Sequence, residues 1–190
     1  MPEGAFKMEE THKKKMEEHK RKFTYLLDED HTEVKRLSLE DLEEAVKIMR
    51  KCAFDVTDTD VKTIIVYNNS FGCYVNRMLI GVGLSWPAHL NLDQKILTAG
   101  EPNAIYLEDP AVLLAYEGRG LRRVLLHERE NEGKKLNLKY SIAYLAENIE
   151  KGTSIEESIK EGGSQLEKLY LSEGYKFFRT DRGIMALKEL

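Results

Sequence analysis

The stretch "AYEGRGLRRVLL", residues Ala115–Leu126, decides how this chain is read. Gly118 and Gly120 stand one residue apart, after an apolar run and before a segment with helical spacing. Arg119, Arg122 and Arg123 crowd the same span. A helix start leaves unpaired N–H donors and a partial positive charge. Glycines there let a phosphate approach the backbone. The alternative is a tight strand-to-helix turn with a solvated basic face. A glutamate at that place, Glu117, suits a helix dipole by roughly 0.3–1 kcal/mol with no ligand at all. The pattern is not a dinucleotide fingerprint, because Arg123 stands where the third glycine belongs, and no Gly-Lys-Ser/Thr follows.

On either side of this turn the patterns alternate between strand and helix. Upstream, "AIYLEDPAVLL" reads as one strand running to Leu114, and Pro110 predicts a bulge in it. The turn then predicts a helix over about 118–132, ended by Gly133, with Leu121, Val124 and Leu125 as its apolar set. "LKYSIAYLA" is a buried strand, and "SQLEKLYLSEG" is a helix capped by Ser164 and stopped by Gly174. "YKFFRT" and "GIMALKE" close the chain as a hairpin. Between them, 148–163 is an insertion with a short helix from Ser154.

Nearer the N-terminus, "TEVKRLSLEDLEEAVKIMRKCAF" is strand, cap and helix. Ser38 and Asp41 form a capping box, and Leu42, Ala45, Ile48 and Met49 recur at helical spacing. "TDTDVKTIIVYNN" is a second helix capped by Thr57 or Asp58. "SFGCYVNRMLIGVGLSW" is a hairpin turning at Asn76-Arg77. Residues 88–103 read as a long connection of the kind that carries a binding loop. Residues 1–30 are nearly all charged, with Met8, Met16 and Phe23 as sparse apolar positions. They form a helical arm that cannot build a core alone.

The order β-α-α-β-β-β-α-β-α-β-β implies an α+β or α/β layered domain over 31–190, a mixed sheet with helices on both faces. Composition sets the outer limits. With 42% hydrophobic and 33% charged residues among 190, the chain is globular. A net charge of −4 speaks against nucleic acid as a partner, and no apolar run is long enough for a membrane span. Cys52 and Cys73 form neither metal spacing nor a disulfide framework, so the cytoplasm is the expected compartment. His89 and His127 read as isolated, so no metal is expected.

From about Glu33 to Leu190 the element order resembles the GNAT superfamily of N-acetyltransferases. In that family an Arg/Gln-x-x-Gly-x-Gly/Ala loop opens the third helix and holds the acetyl-CoA diphosphate. Here the register reads Glu117-Gly118-Arg119-Gly120-Leu121-Arg122. The family's Leu-Tyr…Gly-Phe helix resembles Leu169-Tyr170 followed by Gly174-Tyr175. The chain departs from the pattern at Glu117, at Arg122, at Leu114 where proline is frequent, and at Gly163 where asparagine is frequent.

The resemblance implies an α+β fold with a mostly antiparallel sheet, and direct transfer of an acetyl group from acetyl-CoA to a primary amine on a small molecule or a protein. Gly118, Arg119, Gly120, Leu121, Arg122 and Arg123 would hold the diphosphate. Val112 and Leu114 would pair with pantetheine in a gap beside "KYSIAYL", with the Val112 N–H as an oxyanion-type donor. Tyr170 would protonate the leaving thiolate. Glu108 would be the base, with Asp109 as a second candidate. Asp55, Asp58 and Asp60 could attract a cationic acceptor. Each has a plainer reading: Tyr170 as a core residue, Glu108 and Asp109 as a solvated edge, Trp86 as core packing. Glu117 would point away from a diphosphate or pair with Arg119. The competing expectation is a non-catalytic acyl-CoA-binding or scaffold module on the same fold. An RNA-binding role through the arginines and the arm lysines is a third. The charged arm suggests a contact between subunits, hence a homodimer.

Overall fold

The computed structural model describes residues 32–145 and 154–190. The expected N-terminal arm and residues 148–153 of the insertion lie outside the described residues.

Four helix starts follow from their caps. Asp41 accepts from the Ser38 N–H at 2.8 Å, ahead of a short 3-10 turn and helix α1 (Leu42–Lys51). Thr57 and Asp60 make the same reciprocal box at helix α2 (Asp58–Ile65), and Asn68 leaves it at φ 62°. Ser154 caps helix α4 (Ile155–Gly162), and a Ser164–Glu167 box opens helix α5 (Gln165–Ser172). Helix α3 (Leu121–Lys135) lies between these pairs and begins and ends differently from the sequence expectation. It starts at Leu121 rather than Gly118, and it runs straight through Gly133. A Cβ at Gly133 would lie 2.9 Å from Ile105 Cγ2, so this glycine serves close helix-to-sheet packing, not termination. Asn137, at φ 57°, ends the helix instead, with Leu138 N–H donating to Gly133 O at 2.9 Å. Leu126 is buried where Val124 was expected; Val124 is exposed.

Two sheets form the framework. Strands β1 (Thr32–Arg36), β2 (Phe71–Val75), β3 (Met78–Gly83) and β7 (Ala111–Val112) make the smaller one, in the order β1-β2-β3-β7. The larger has six strands: β4 (Ser85–Asn91), β5 (Ile96–Thr98), β6 (Ala104–Leu107), β8 (Tyr140–Leu145), β9 (Lys176–Thr180) and β10 (Gly183–Glu189). Its order is β5-β4-β6-β8-β10-β9, antiparallel except for β6 beside β8. Asn76 and Arg77 both take positive φ in the two-residue turn joining β2 and β3, as a hairpin twist requires. The expected loop at 88–103 is a β4–β5 hairpin, with His89 opposite Thr98. No helix among the described residues is long and apolar enough to cross a membrane.

Helices cover both faces of the small sheet and one face of the large sheet. Ala45, Val46, Ile48 and Met49 of α1 pack with Val61 and Ile65 of α2 on one side of the small sheet. Leu121 and Leu125 of α3 pack on its other side with Phe71, Cys73 and Ile80. Leu126 of α3, Ile155 and Ile159 of α4 and Tyr170 of α5 bury one face of the large sheet.

The expected single strand at 104–114 is in fact two. β6 belongs to the large sheet and β7 to the small one, with Glu108-Asp109-Pro110 as the crossover. Pro110 has no N–H for a ladder, which suits a break there. Leu84, between β3 and β4, is the other place where the chain passes directly from a strand of one sheet to a strand of the other. After Val112 the chain enters a 3-10 turn, Leu114–Tyr116, so Leu114 is not a strand residue.

Candidate functional site

The split between the sheets and the turn before α3 together shape a cleft. The β6–β8 ladder ends at Tyr106 opposite Ile142. Beyond it, β7 turns to β3, and Leu113 N–H donates to Ile80 O at 3.0 Å. In an antiparallel ladder neighbouring residues face opposite edges, so the Val112 N–H points away from β3. On the same edge, Val112 O accepts from Cys52 Sγ at 3.3 Å.

Gly118 and Gly120 both sit in left-handed backbone, at φ 79° and 76°. No atom would meet a Cβ at either position within 4 Å, so conformation alone demands glycine. Gly120 is the N-cap of α3 and offers no side-chain cap. The first helical bond accepted at this end runs from Val124 N–H to Gly120 O. The N–H groups of Leu121, Arg122 and Arg123 precede it and are left without partners inside the helix. They open on a cleft of about 830 Å³ between this turn and α5. Leu114, Gly118, Gly120 and Arg122 line one wall, and Gln165, Lys168 and Ser172 line the other.

The three arginines have separate environments. Arg119 lies over the Tyr116 ring, 4.7 Å from its centroid, and its buried Nη2 has no partner among the described residues. Arg122 pairs with Glu117, Nη2 to Oε1 at 2.5 Å. The pairing expected between Glu117 and Arg119 is therefore made by Arg122, one helical turn on. Arg123 reaches across to Glu173 just after α5, Nε to Oε1 at 2.7 Å. His127 is not isolated, because its Nε2 lies 2.7 Å from the other Glu173 oxygen. These neighbours hold the Glu173 carboxyl below the ordinary range, His127 foremost, against the upward push of burial.

No family model matches this sequence, and no curated protein matches it by sequence. Solved structures do match in shape. The loading GNATL domain of CurA from Lyngbya majuscula superposes with a TM-score of 0.66 at 15% identity, over 84% of this chain and 98% of that one. The ribosomal-protein-S18-alanine N-acetyltransferase of Escherichia coli gives 0.57 at 17%, over 84% and 94%. PaiA N-acetyltransferase of Thermoplasma acidophilum, in complex with coenzyme A, gives 0.56 at 18%, over 84% and 99%. The domain has the GNAT fold.

Within this fold Tyr170 is fully buried and packs edge-on against Tyr175 at 4.8 Å. Its hydroxyl has no partner among the described residues. Burial pushes its pKa well up, with Arg129 opposing. It does not line the cleft, whereas Leu169 beside it does. Glu108 and Asp109 are half-buried at the crossover, and burial raises both carboxyls while Arg129 opposes. Tyr106 stacks on Trp86 at 4.4 Å, and burial raises its pKa too, which disfavours it as a base. Cys73 is buried, its thiol pushed up to about 12, whereas Cys52 is only half-buried. The thiol of Cys52 is also raised, chiefly by burial. Of Asp55, Asp58 and Asp60, the last two serve α2: Asp60 in its cap and Asp58 in a 3.0 Å pair with Arg50.

Sequence reading missed Arg129, Glu173 and Lys168. Arg129 lies eight residues after Leu121 and four after Leu125, on the buried stripe of α3, and that register was its signal. Glu173 and Lys168 carried no signal of their own, since only the packing of α5 beside α3 brings them to the cleft.

Proposed function

We propose that this domain is an acyltransferase that moves the acetyl group of acetyl-CoA to a primary amine. The observation that carries the reading is the uncapped start of α3. Three N–H groups and two left-handed glycines face a cleft sized for a cofactor-like ligand. The residues present suit a diphosphate: backbone donors in a row, and Lys168 on the opposite wall, whereas Arg119 does not line the cleft and its Nη2 is buried. Three of the structures sharing this fold are described as complexes with coenzyme A or acetyl-CoA.

In this reading the backbone of Gly118–Arg123 holds the diphosphate, and Lys168 adds charge. Pantetheine enters the gap between β7 and β8. The Val112 N–H, turned away from β3, polarises the thioester carbonyl. Leu114 contributes a wall of the cleft rather than strand pairing. Glu108 takes the proton of the attacking amine. As the carbon–nitrogen bond forms and the carbon–sulfur bond breaks, Tyr170 donates its proton to sulfur.

Calorimetric titration with acetyl-CoA, run beside a thiol-release assay with a panel of amines, tests the reading. Saturable binding and amine-dependent thiol release are expected. Binding without turnover on any amine would favour the acyl-CoA-binding module, which the Glu117–Arg122 pair at the cleft and the deep burial of Tyr170 both favour.

A further inference from the structure

Arg129 is the largest fully buried side chain described in the domain. A guanidinium taken out of water needs partners for its charge and for its five N–H groups. Among the described residues it makes no ion pair with a carboxylate. Its Nε donates to Leu125 O in its own helix at 3.0 Å. Its Nη1 donates to two carbonyls at once, Leu84 O at 3.0 Å and Glu108 O at 2.8 Å. Those are the two places where a strand of one sheet runs directly into a strand of the other. Glu108 N–H also donates to Leu84 O, at 3.0 Å, so one guanidinium ties both crossovers together. Gly83 makes room for it, since a Cβ there would lie 3.1 Å from Arg129 Nε.

A second observation separates this arrangement from a structural clasp. Arg129 Nη2, Asp109 Oδ1 and Tyr170 OH are all buried without a hydrogen-bond partner among the described residues. Buried polar atoms with a purely structural role are paired almost without exception. Arg129 and Tyr170 each feel the charge of the other two, and Asp109 feels that of Arg129. One of them, the Tyr170 hydroxyl, belongs to a residue proposed at the acyl-transfer centre, and Asp109 adjoins another, Glu108.

We propose that Arg129 is a positioning residue for acyl transfer: its guanidinium fixes the Glu108–Pro110 crossover, and its charge supports the proton transfers of Glu108 and Tyr170. The proposal rests on the acetyltransferase reading above. The balance is as follows. The amine nitrogen bonds to the acetyl carbon and gives a proton to Glu108. The thiolate leaves and takes the proton of Tyr170. The proton on Glu108 then returns to the phenolate. Negative charge thus appears on Tyr170 beside Arg129 and vanishes when the cycle closes.

The groups facing this charge come from several elements. Glu108 and Asp109 lie on the crossover, Tyr170 on α5, Tyr175 after it, and Cys73 on β2. Asp109 in turn feels Arg122 and Glu167. Arg129 draws both carboxyls downward against burial.

The test compares Arg129→Lys, which keeps the charge, with Arg129→Gln, which keeps a donor but not the charge. Wild-type protein is assayed first for acetyl-CoA-dependent thiol release; inactivity there sinks the acetyltransferase reading and the present proposal with it. With active wild type, R129Q is expected to lose kcat at least about tenfold. Its acid limb of kcat/KM should move up by about one pH unit, since loss of the cation raises Glu108. R129K should keep the limb at the wild-type pH with a smaller loss in kcat, and the KM for acetyl-CoA should change little in either. Equal losses in both variants with an unmoved limb would reduce Arg129 to a structural clasp and overturn the proposal. Should R129Q not fold, R129K decides: a lower kcat at unchanged KM and an unmoved limb supports it, and wild-type kcat overturns it.

Discussion

Glu117 and Arg122 close a forked ion pair across the first turn of α3, with Nη2 2.5 Å from Oε1 and Nε 3.2 Å from the same oxygen. Both side chains line the cleft and are about one-third exposed. In the proposed reading the carboxylate competes with a diphosphate for Arg122. Replacing it should release the guanidinium.

Glu117→Gln is therefore expected to tighten acetyl-CoA binding, by about two- to five-fold, the range of a partly exposed ion pair. The gain should shrink at high salt. Calorimetry at two ionic strengths measures it. Weaker binding in the variant would mean that Glu117 supports the loop more than it opposes the ligand.

Gly120→Ala forces an L side chain into left-handed backbone at a place with free space around it. The cost should be roughly 1–2 kcal/mol of unfolding free energy, all of it from the backbone. If the turn relaxes instead, the donors of α3 re-aim and coenzyme affinity falls while stability holds. Denaturant unfolding and titration on the same sample distinguish these outcomes. A variant unchanged in both would remove the turn from the account.

The proposed base titrates above the ordinary carboxylate range, because burial and the neighbouring Asp109 outweigh the pull of Arg129. Glu108 must be ionised to accept a proton. Hence kcat/KM should fall as pH drops through that raised pKa, at a higher pH than a solvent-exposed glutamate would give. Glu108→Gln should lower kcat by roughly 10²–10⁴-fold and abolish this limb. Tyr170, held protonated by burial, should add no alkaline limb at neutral to mildly basic pH. A retained acid limb in E108Q would shift the role to Asp109.

Glu173 ties α3 to the end of α5 through Arg123 and His127. Its folded pKa is depressed, so its contribution exists above the unfolded carboxylate pKa and disappears as pH falls through the folded one. Glu173→Gln should cost about 0.5–1 kcal/mol near neutrality, a modest figure because Arg123 and His127 are half-exposed. The gap to wild type should close in acid. Thermal melts at both pH values give the comparison, and a gap that widens in acid would contradict the assignment.

Much of this architecture is legible from short-range chemistry. Ser38, Thr57 and Ser164 announce three helices because a hydroxyl and a carboxylate three residues apart satisfy the same orphan donors in any fold. Gly118 and Gly120 announce the turn before α3 for an equally local reason. The β4–β5 hairpin stayed hidden because its turn places Lys95, not glycine or asparagine, at positive φ. The break of one expected strand into β6 and β7 depends on which sheet captures each half, a long-range choice that Pro110 only permits. Gly133 read as a stop because its true role, contact with Ile105, lies on another element. The same holds for the partners of Arg122, Arg123 and Arg129, which only tertiary packing selects.

The central claim is that the backbone at the start of α3 grips a diphosphate, and a crystal structure of the protein grown with acetyl-CoA tests it most directly. The account predicts diphosphate oxygens within hydrogen-bond distance of the N–H groups of Leu121, Arg122 and Arg123, and the thioester carbonyl at the Val112 N–H. Coenzyme bound elsewhere, with the Glu117–Arg122 pair still closing that corner, would contradict it.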